Sequence, residues 1–120
     1  MLQRGLALRR FSHYVRNSPV SYSHGTSTLP LMSEHTSQRL RTITEKYPDN
    51  PYLISHHQNI TLTYANFNRQ VDEIAKGFIA LGLNKGDRIG IYAPNSVEWT
   101  LTQYAAARAD LILVNVNPAF

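Results

Sequence analysis

An α/β fold is predicted, carried by a βαβ unit with parallel strands, with a β-hairpin upstream of it and a leader before both. Three observations support this. Over 88–116, the apolar run RIGIYA, about a dozen residues of helical character and the second apolar run LILVNV follow one another. That order and spacing fit a strand, a crossover helix and a parallel strand, with the right-handed crossover that such units adopt. Over 52–64, YLISH and ITLTY flank the short connection HQN, the pattern of a hairpin. Between hairpin and βαβ unit lies a long segment with one-sided apolar spacing. Two parallel strands, three helices and a hairpin do not complete a doubly wound sheet, because parallel strands need cover on both faces. The chain is therefore expected to be an incomplete N-terminal piece, with a leader and linker over 1–32 and an α/β subdomain over 33–120.

The leader explains the charge. The 120 residues carry 12 Lys and Arg against 8 Asp and Glu, a net charge of +4. Arg4, Arg9, Arg10 and Arg16 all precede the first acid, Glu34, and the eight later basic residues match the eight acids. The body is neutral, so the basic footprint of a nucleic-acid binder is missing. A leader rich in Arg and Ser, with leucines and no acids, has the composition of a mitochondrial transit peptide, although Arg4, Arg9 and Arg10 do not share one helical face. RRFS at 9–12 resembles a matrix-processing site, and only four residues separate Arg4 from Arg9, too few for a secretory apolar core. The chain has no cysteine, which excludes disulfides and thiolate chemistry, and no apolar run near the ~20 residues needed to span a bilayer.

NSPVSYSHGTSTLPLM, 17–32, reads as linker. Within it HGTST at 24–28 has the glycine and hydroxyls of a phosphate loop, but no strand precedes it, no lysine follows closely and Pro30 interrupts it. Ser33 is the expected cap of a first helix running to Lys46, with Leu40, Ile43 and Tyr47 at helical spacing and YPDNP closing it. In the hairpin, His56 and His57 are adjacent, so they point to opposite faces of a strand and have no third ligand at a metal-binding spacing. They are expected at the surface of the turn. Thr63 caps the second helix, whose Phe67, Val71, Ile74, Ala75, Phe78 and Ile79 define the buried face. Gly82 suits the left-handed exit, and Lys85, Gly86 and Asp87 turn into RIGIYA, expected as a short buried strand. Asn95 is the expected cap of the third helix with Glu98 reaching back in a capping box; that helix runs to about Arg108, with Trp99 as a packing residue.

In order along the chain, TYANF (63–67), ALGLNKGDR (80–88), GDRIGIYAPNSVEW (86–99), QYAAARA (103–109) and LILVNVNPA (111–119) resemble the opening of the adenylate-forming acyl-CoA synthetases. With the basic leader and the HGTST linker, the resemblance is strongest to the mitochondrial medium-chain branch of that superfamily. Two positions depart from its pattern: Asp110 stands where glycine is common at the helix exit, and Phe120 where tyrosine is common. Aspartate in a left-handed exit carries some strain or needs a different cap.

The resemblance implies an adenylate-forming domain and a two-step reaction. A fatty carboxylate attacks ATP, with Mg2+, to give an acyl adenylate and pyrophosphate; coenzyme A then displaces AMP to give the thioester. Such chemistry needs a Gly/Ser/Thr loop with a lysine for phosphates, an acid for the metal, an aspartate for ribose and a mobile domain bearing a lysine. No residue over 1–120 matches those motifs, so no catalytic, cofactor-binding or metal position is assigned, and ATP, CoA and Mg2+ are not expected to bind this chain tightly. The expectation is a ligase portion, located in the mitochondrial matrix, that is inactive by itself. The alternative is a non-catalytic interaction module that uses its open sheet.

Overall fold

The computed structural model describes Gly25 and residues 28–119. The leader, its processing site, most of HGTST and Phe120 lie outside the described residues. Two units divide the chain, Met1–Met32 and Ser33–Phe120. In the first, the described residues form no helix or strand and are exposed.

The second unit runs α1 (Thr36–Lys46), β1 (Pro51–Ser55), β2 (Ile60–Thr63), α2 (Tyr64–Ala80), β3 (Arg88–Tyr92), α3 (Val97–Arg108) and β4 (Ile112–Val116). The hairpin is antiparallel, and β3 pairs with β4 in parallel, in register from Arg88↔Ile112 to Tyr92↔Val116. Each sheet has two strands. The mixed α/β fold with its hairpin and parallel βαβ unit is thus as the sequence predicts.

Helix starts are set by which acceptor meets the free N–H groups of the first turn. At α2 it is Thr63, whose Oγ1 accepts from the Asn66 N–H at 3.2 Å, as expected. At α1 the cap is His35 and not Ser33: its Nδ1 accepts from the Gln38 N–H at 3.3 Å, and Ser33 lies too early to reach that turn. At α3 the cap is Ser96 and not Asn95; Ser96 Oγ accepts from the Trp99 N–H at 3.1 Å. Asn and Ser are comparable caps, and a distant group decides between them: Gln58 Oε1 accepts from the Val97 N–H at 2.8 Å and so fixes Val97 as the first helical residue. The capping box with Glu98 gives way to a different bond, in which Gln58 Nε2 donates to Glu98 Oε2 at 2.8 Å.

The core lies where the three helices meet: Leu40 from α1, Phe67, Val71 and Ala75 from α2, Val97, Leu101 and Ala105 from α3. Phe67 and Val71 are fully enclosed, each worth roughly 1.5–3 kcal/mol of burial. Ile74 and Phe78 flank this core, but Ile79 is 61% exposed. At ~100° per residue Ile79 sits roughly 95° from the middle of the buried face, outside the stripe a neighbouring helix can cover. Tyr47 is likewise exposed, because it has left the helix to become the α1 C-cap. α3 lacks a single apolar stripe because it packs on α1 and α2 and also on both parallel strands. Its Ala105 and Ala106 are buried and allow that close approach; Trp99 is half-buried and outside the core cluster.

The turns use left-handed residues where expected. Gly82 has φ +87° and Gly86 φ +86°. Asp110 adopts φ +56° at the exit of α3, held by the Gly86 N–H on its carbonyl at 2.9 Å and by Lys85 Nζ on its carboxylate at 3.4 Å. β3 and β4 depart from the expected buried strands. Along β3 exposed and half-buried residues alternate, and Ile112, Val114 and Val116 of β4 are all exposed. α3 covers one face of this sheet, and no described element covers the other.

Candidate functional site

Four places in the unit concentrate polar or aromatic side chains. The first is an aromatic groove between α1 and the hairpin. A bulge between Pro51 and Leu53 leaves Tyr52 out of the pairing, and such bulges re-aim the residue they carry. The Tyr52 ring meets Phe67 at 4.4 Å, Tyr64 at 4.7 Å and Tyr104 at 6.1 Å between centroids. Burial, followed by a hydrogen bond with Tyr104, pushes the Tyr52 phenol above its ordinary pKa. Tyr52, Tyr64 and Tyr104 with Leu40 and Ile43 line a groove of about 360 Å³, and the Arg39–Glu34 ion pair, 3.4 Å, stands at its rim.

The second place is the hairpin turn. Ser55 Oγ and His57 Nδ1 are 3.3 Å apart, the separation of a nucleophile and its base. The hydroxyl proton, however, is donated to Gln58 Oε1 at 2.9 Å, so His57 is not placed to receive it. Glu98 is held below the ordinary carboxylate range, first by the Gln58 hydrogen bond and then by bonds to its own backbone and to Ser96. His56 and His57 are exposed in the turn. Among the described residues no cluster of three His, Asp or Glu side chains is placed to hold a metal ion.

The third place ties the helices together. Arg108, at the end of α3, donates to Ser37 Oγ of α1 and to Asp72 Oδ1 of α2, and also to Asn68 Oδ1 at 2.8 Å. Arg41 approaches the same Asp72 oxygen at 3.8 Å. The Arg108 side chain is 6% exposed. Burial lowers its pKa, Asp72 opposes that shift and Arg41 adds to it. Arg108, Asp72, Asn68 and Gln58 are invisible to sequence reasoning, because their partners are 36 to 71 residues away.

The fourth is the carboxyl end of the parallel pair. In open α/β sheets ligands bind beyond the carboxyl ends of the strands. Tyr92 and Val116 lie side by side there, and the chain beyond β4 is fixed by Tyr92 Oη on the Pro118 carbonyl, 3.2 Å, and by Asn117 Oδ1 on the Ala119 N–H, 2.9 Å. The asparagine and proline that punctuate the strand in the sequence are a formed turn.

A hairpin and a parallel βαβ unit on a three-helix core form the N-terminal subdomain architecture of adenylate-forming enzymes. Residues 40–120 match the AMP-binding enzyme family, and the chain belongs to that family. It is similar to the mitochondrial medium-chain acyl-CoA ligase of Danio rerio, 44% identical over 100 residues that make up 83% of this chain. The corresponding Homo sapiens ligase is 41% identical over 101 residues, 84% of this chain. The chain spans 16% of the length of each of these relatives. Among solved structures, a Mycobacterium tuberculosis fatty acyl CoA synthetase aligns with TM-score 0.67 at 30% identity, over 70% of this chain and 17% of that one. The N-terminal subdomain of Klebsiella oxytoca NpsA aligns with TM-score 0.66 over 71% of this chain and 22% of that one; at 24% identity it shows the shared fold alone.

Proposed function

We propose that this chain is the N-terminal part of a medium-chain fatty acyl-CoA ligase of the mitochondrial matrix, delivered there by the targeting leader that, with the linker, makes up residues 1–32. The observation that carries the proposal is the 44% identity to a mitochondrial medium-chain acyl-CoA ligase across 83% of the chain. The whole enzyme would join a fatty carboxylate to ATP, with Mg2+, to form an acyl adenylate and pyrophosphate. CoA sulfur would then attack the acyl carbon and release AMP. The residues described above build and brace the sheet; none is assigned to the reacting atoms. The chain alone is therefore expected to be inactive.

The test is a chimera in which this chain replaces the matched 16% of the Danio rerio ligase. The expected result is octanoate-dependent ATP–pyrophosphate exchange by the chimera and none by the 120-residue chain. A folded chimera without exchange refutes the proposed function; exchange by the chain alone refutes its assignment as a non-catalytic part.

A further inference from the structure

Tyr52 from β1, Tyr64 from α2 and Tyr104 from α3 converge on the groove beside α1, which contributes Leu40 and Ile43. The bulge between Pro51 and Leu53 frees Tyr52 from the strand pairing, and the rings stand at angles to one another. Tyr52 and Tyr104 lie at 88°, Tyr52 and Tyr64 at 54°. Rings set this way form a corner and not a flat stack. All three tyrosines are half-buried, so part of each side chain stays open to the groove. Burial and the hydrogen bond with Tyr104 hold the Tyr52 phenol protonated at neutral pH, and a ligand meets it as ring surface and neutral hydroxyl, not as phenolate. The volume of about 360 Å³ lies at the small end of ligand pockets. An apolar cavity with a few convergent polar groups and a shifted titratable side chain is the usual form of such a site.

The charges at the groove narrow the ligand. Glu34 and Arg39 are the charged residues among the described lining, paired at 3.4 Å with side chains 32% and 47% exposed. So open a pair is weakly held, and a ligand can part it. An anion on Arg39 would leave Glu34 unpaired, and a cation on Glu34 would leave Arg39 unpaired; a zwitterion compensates both. A primary ammonium brings three donors that the apolar walls cannot satisfy. A quaternary ammonium brings none, and its methyl groups carry the positive charge onto ring faces. We propose that this groove binds a small betaine, a quaternary ammonium joined by a short link to a carboxylate, with the methyl groups in the tyrosine corner beside Glu34 and the carboxylate on Arg39. This site goes beyond the ligase reading and does not depend on it.

The test is a titration of the 120-residue chain with glycine betaine, followed through the tyrosine ring signals by NMR. The reference ligand is 3,3-dimethylbutanoate, which has the same shape and carboxylate but carbon in place of the charged nitrogen. Betaine is expected to shift the Tyr52, Tyr64 and Tyr104 rings to saturation and to bind about fivefold tighter than the reference, the order of one cation–ring contact. Glu34→Gln should weaken betaine and tighten 3,3-dimethylbutanoate, because Arg39 is then free for the carboxylate. Arg39→Gln should weaken both. Tyr64→Leu should weaken betaine and leave the reference unchanged, with Tyr64→Phe restoring it. Unmoved Phe67 ring signals verify that each variant keeps its core. Absence of a saturable shift with betaine overturns the inference. Equal affinities for betaine and 3,3-dimethylbutanoate overturn it too, as does Glu34→Gln acting on both in the same direction. Saturation by octanoate that betaine cannot displace also overturns it, and makes the groove a site for fatty carboxylates instead.

Discussion

Arg108→Met should unfasten α1 from α2 and α3. The substitution keeps an unbranched apolar stem of similar reach and removes the guanidinium, which is 6% exposed and donates to Ser37, Asp72 and Asn68. Removing one partner of a buried ion pair costs about 3–5 kcal/mol, because the other charge is left without compensation. Asp72 is 36% exposed and keeps Arg41 at 3.8 Å, so water and a second cation recover part of that loss. Ser37 is 3% exposed and cannot exchange its lost donor for water without opening the helix interface. The balance is a loss of about 2–3 kcal/mol, against the roughly 4–13 kcal/mol expected for a unit of this size. With a urea dependence of about 1 kcal/mol per molar for so small a unit, the unfolding midpoint should fall by about 2–3 M. Arg108→Lys should fall between, since one ammonium meets Asp72 but cannot span three acceptors. A midpoint shift under about 0.5 M for Arg108→Met would refute the reasoning and show that the network only decorates a core that packs without it.

Two glycines should respond with opposite signs. Gly82 has φ +87° and Gly77 lies inside α2, and a Cβ added to either meets nothing within 4 Å, so only backbone preference acts. Gly82→Ala should destabilise by about 1–2 kcal/mol and Gly77→Ala should stabilise by about 0.5–1 kcal/mol, read as opposite shifts in thermal midpoint. Glu98 sets a pH dependence: its folded pKa is depressed, chiefly by Gln58, so its contribution is present above the unfolded carboxylate pKa and is lost as pH falls through the lower folded value. Gln58→Ala should move the Glu98 carboxyl titration, followed by carbon NMR, up toward the ordinary range; an unmoved titration excludes Gln58 as the cause.

The elements legible in the sequence are those whose cause is local. Thr63 caps α2, Gly82 and Gly86 turn the chain, and the βαβ order of apolar runs puts β3 and β4 in parallel, because each follows from the spacing of a few neighbouring residues. The misread boundaries have distant causes. Asn95 and Ser96 are equivalent by local preference, and only Gln58, 39 residues before Val97, selects the latter. The exposure of β3 and β4 is hidden for a related reason: an apolar run records that a face can be buried, not that a partner is present to bury it. Asp110 shows both effects at once. Its place at the exit of α3 is legible from the family pattern, whereas the support for its positive φ comes from Lys85 and Gly86 across the turn.

The enclosed polar side chains of this unit are committed to its own framework. A nucleophile, base or phosphate ligand must keep a lone pair or proton available to substrate. The polar groups most enclosed in this unit spend theirs on one another. Ser55 gives its proton to Gln58, Gln58 uses both ends of its amide on Ser55, Val97 and Glu98, and Arg108 divides its donors between α1 and α2. Among the described residues no buried side-chain nitrogen or oxygen lacks a partner. Such saturation makes a rigid frame. The large exposed side chains Ile112, Val114 and Val116 on the open face of β3 and β4 are apolar and carry no lone pair or proton to offer a substrate.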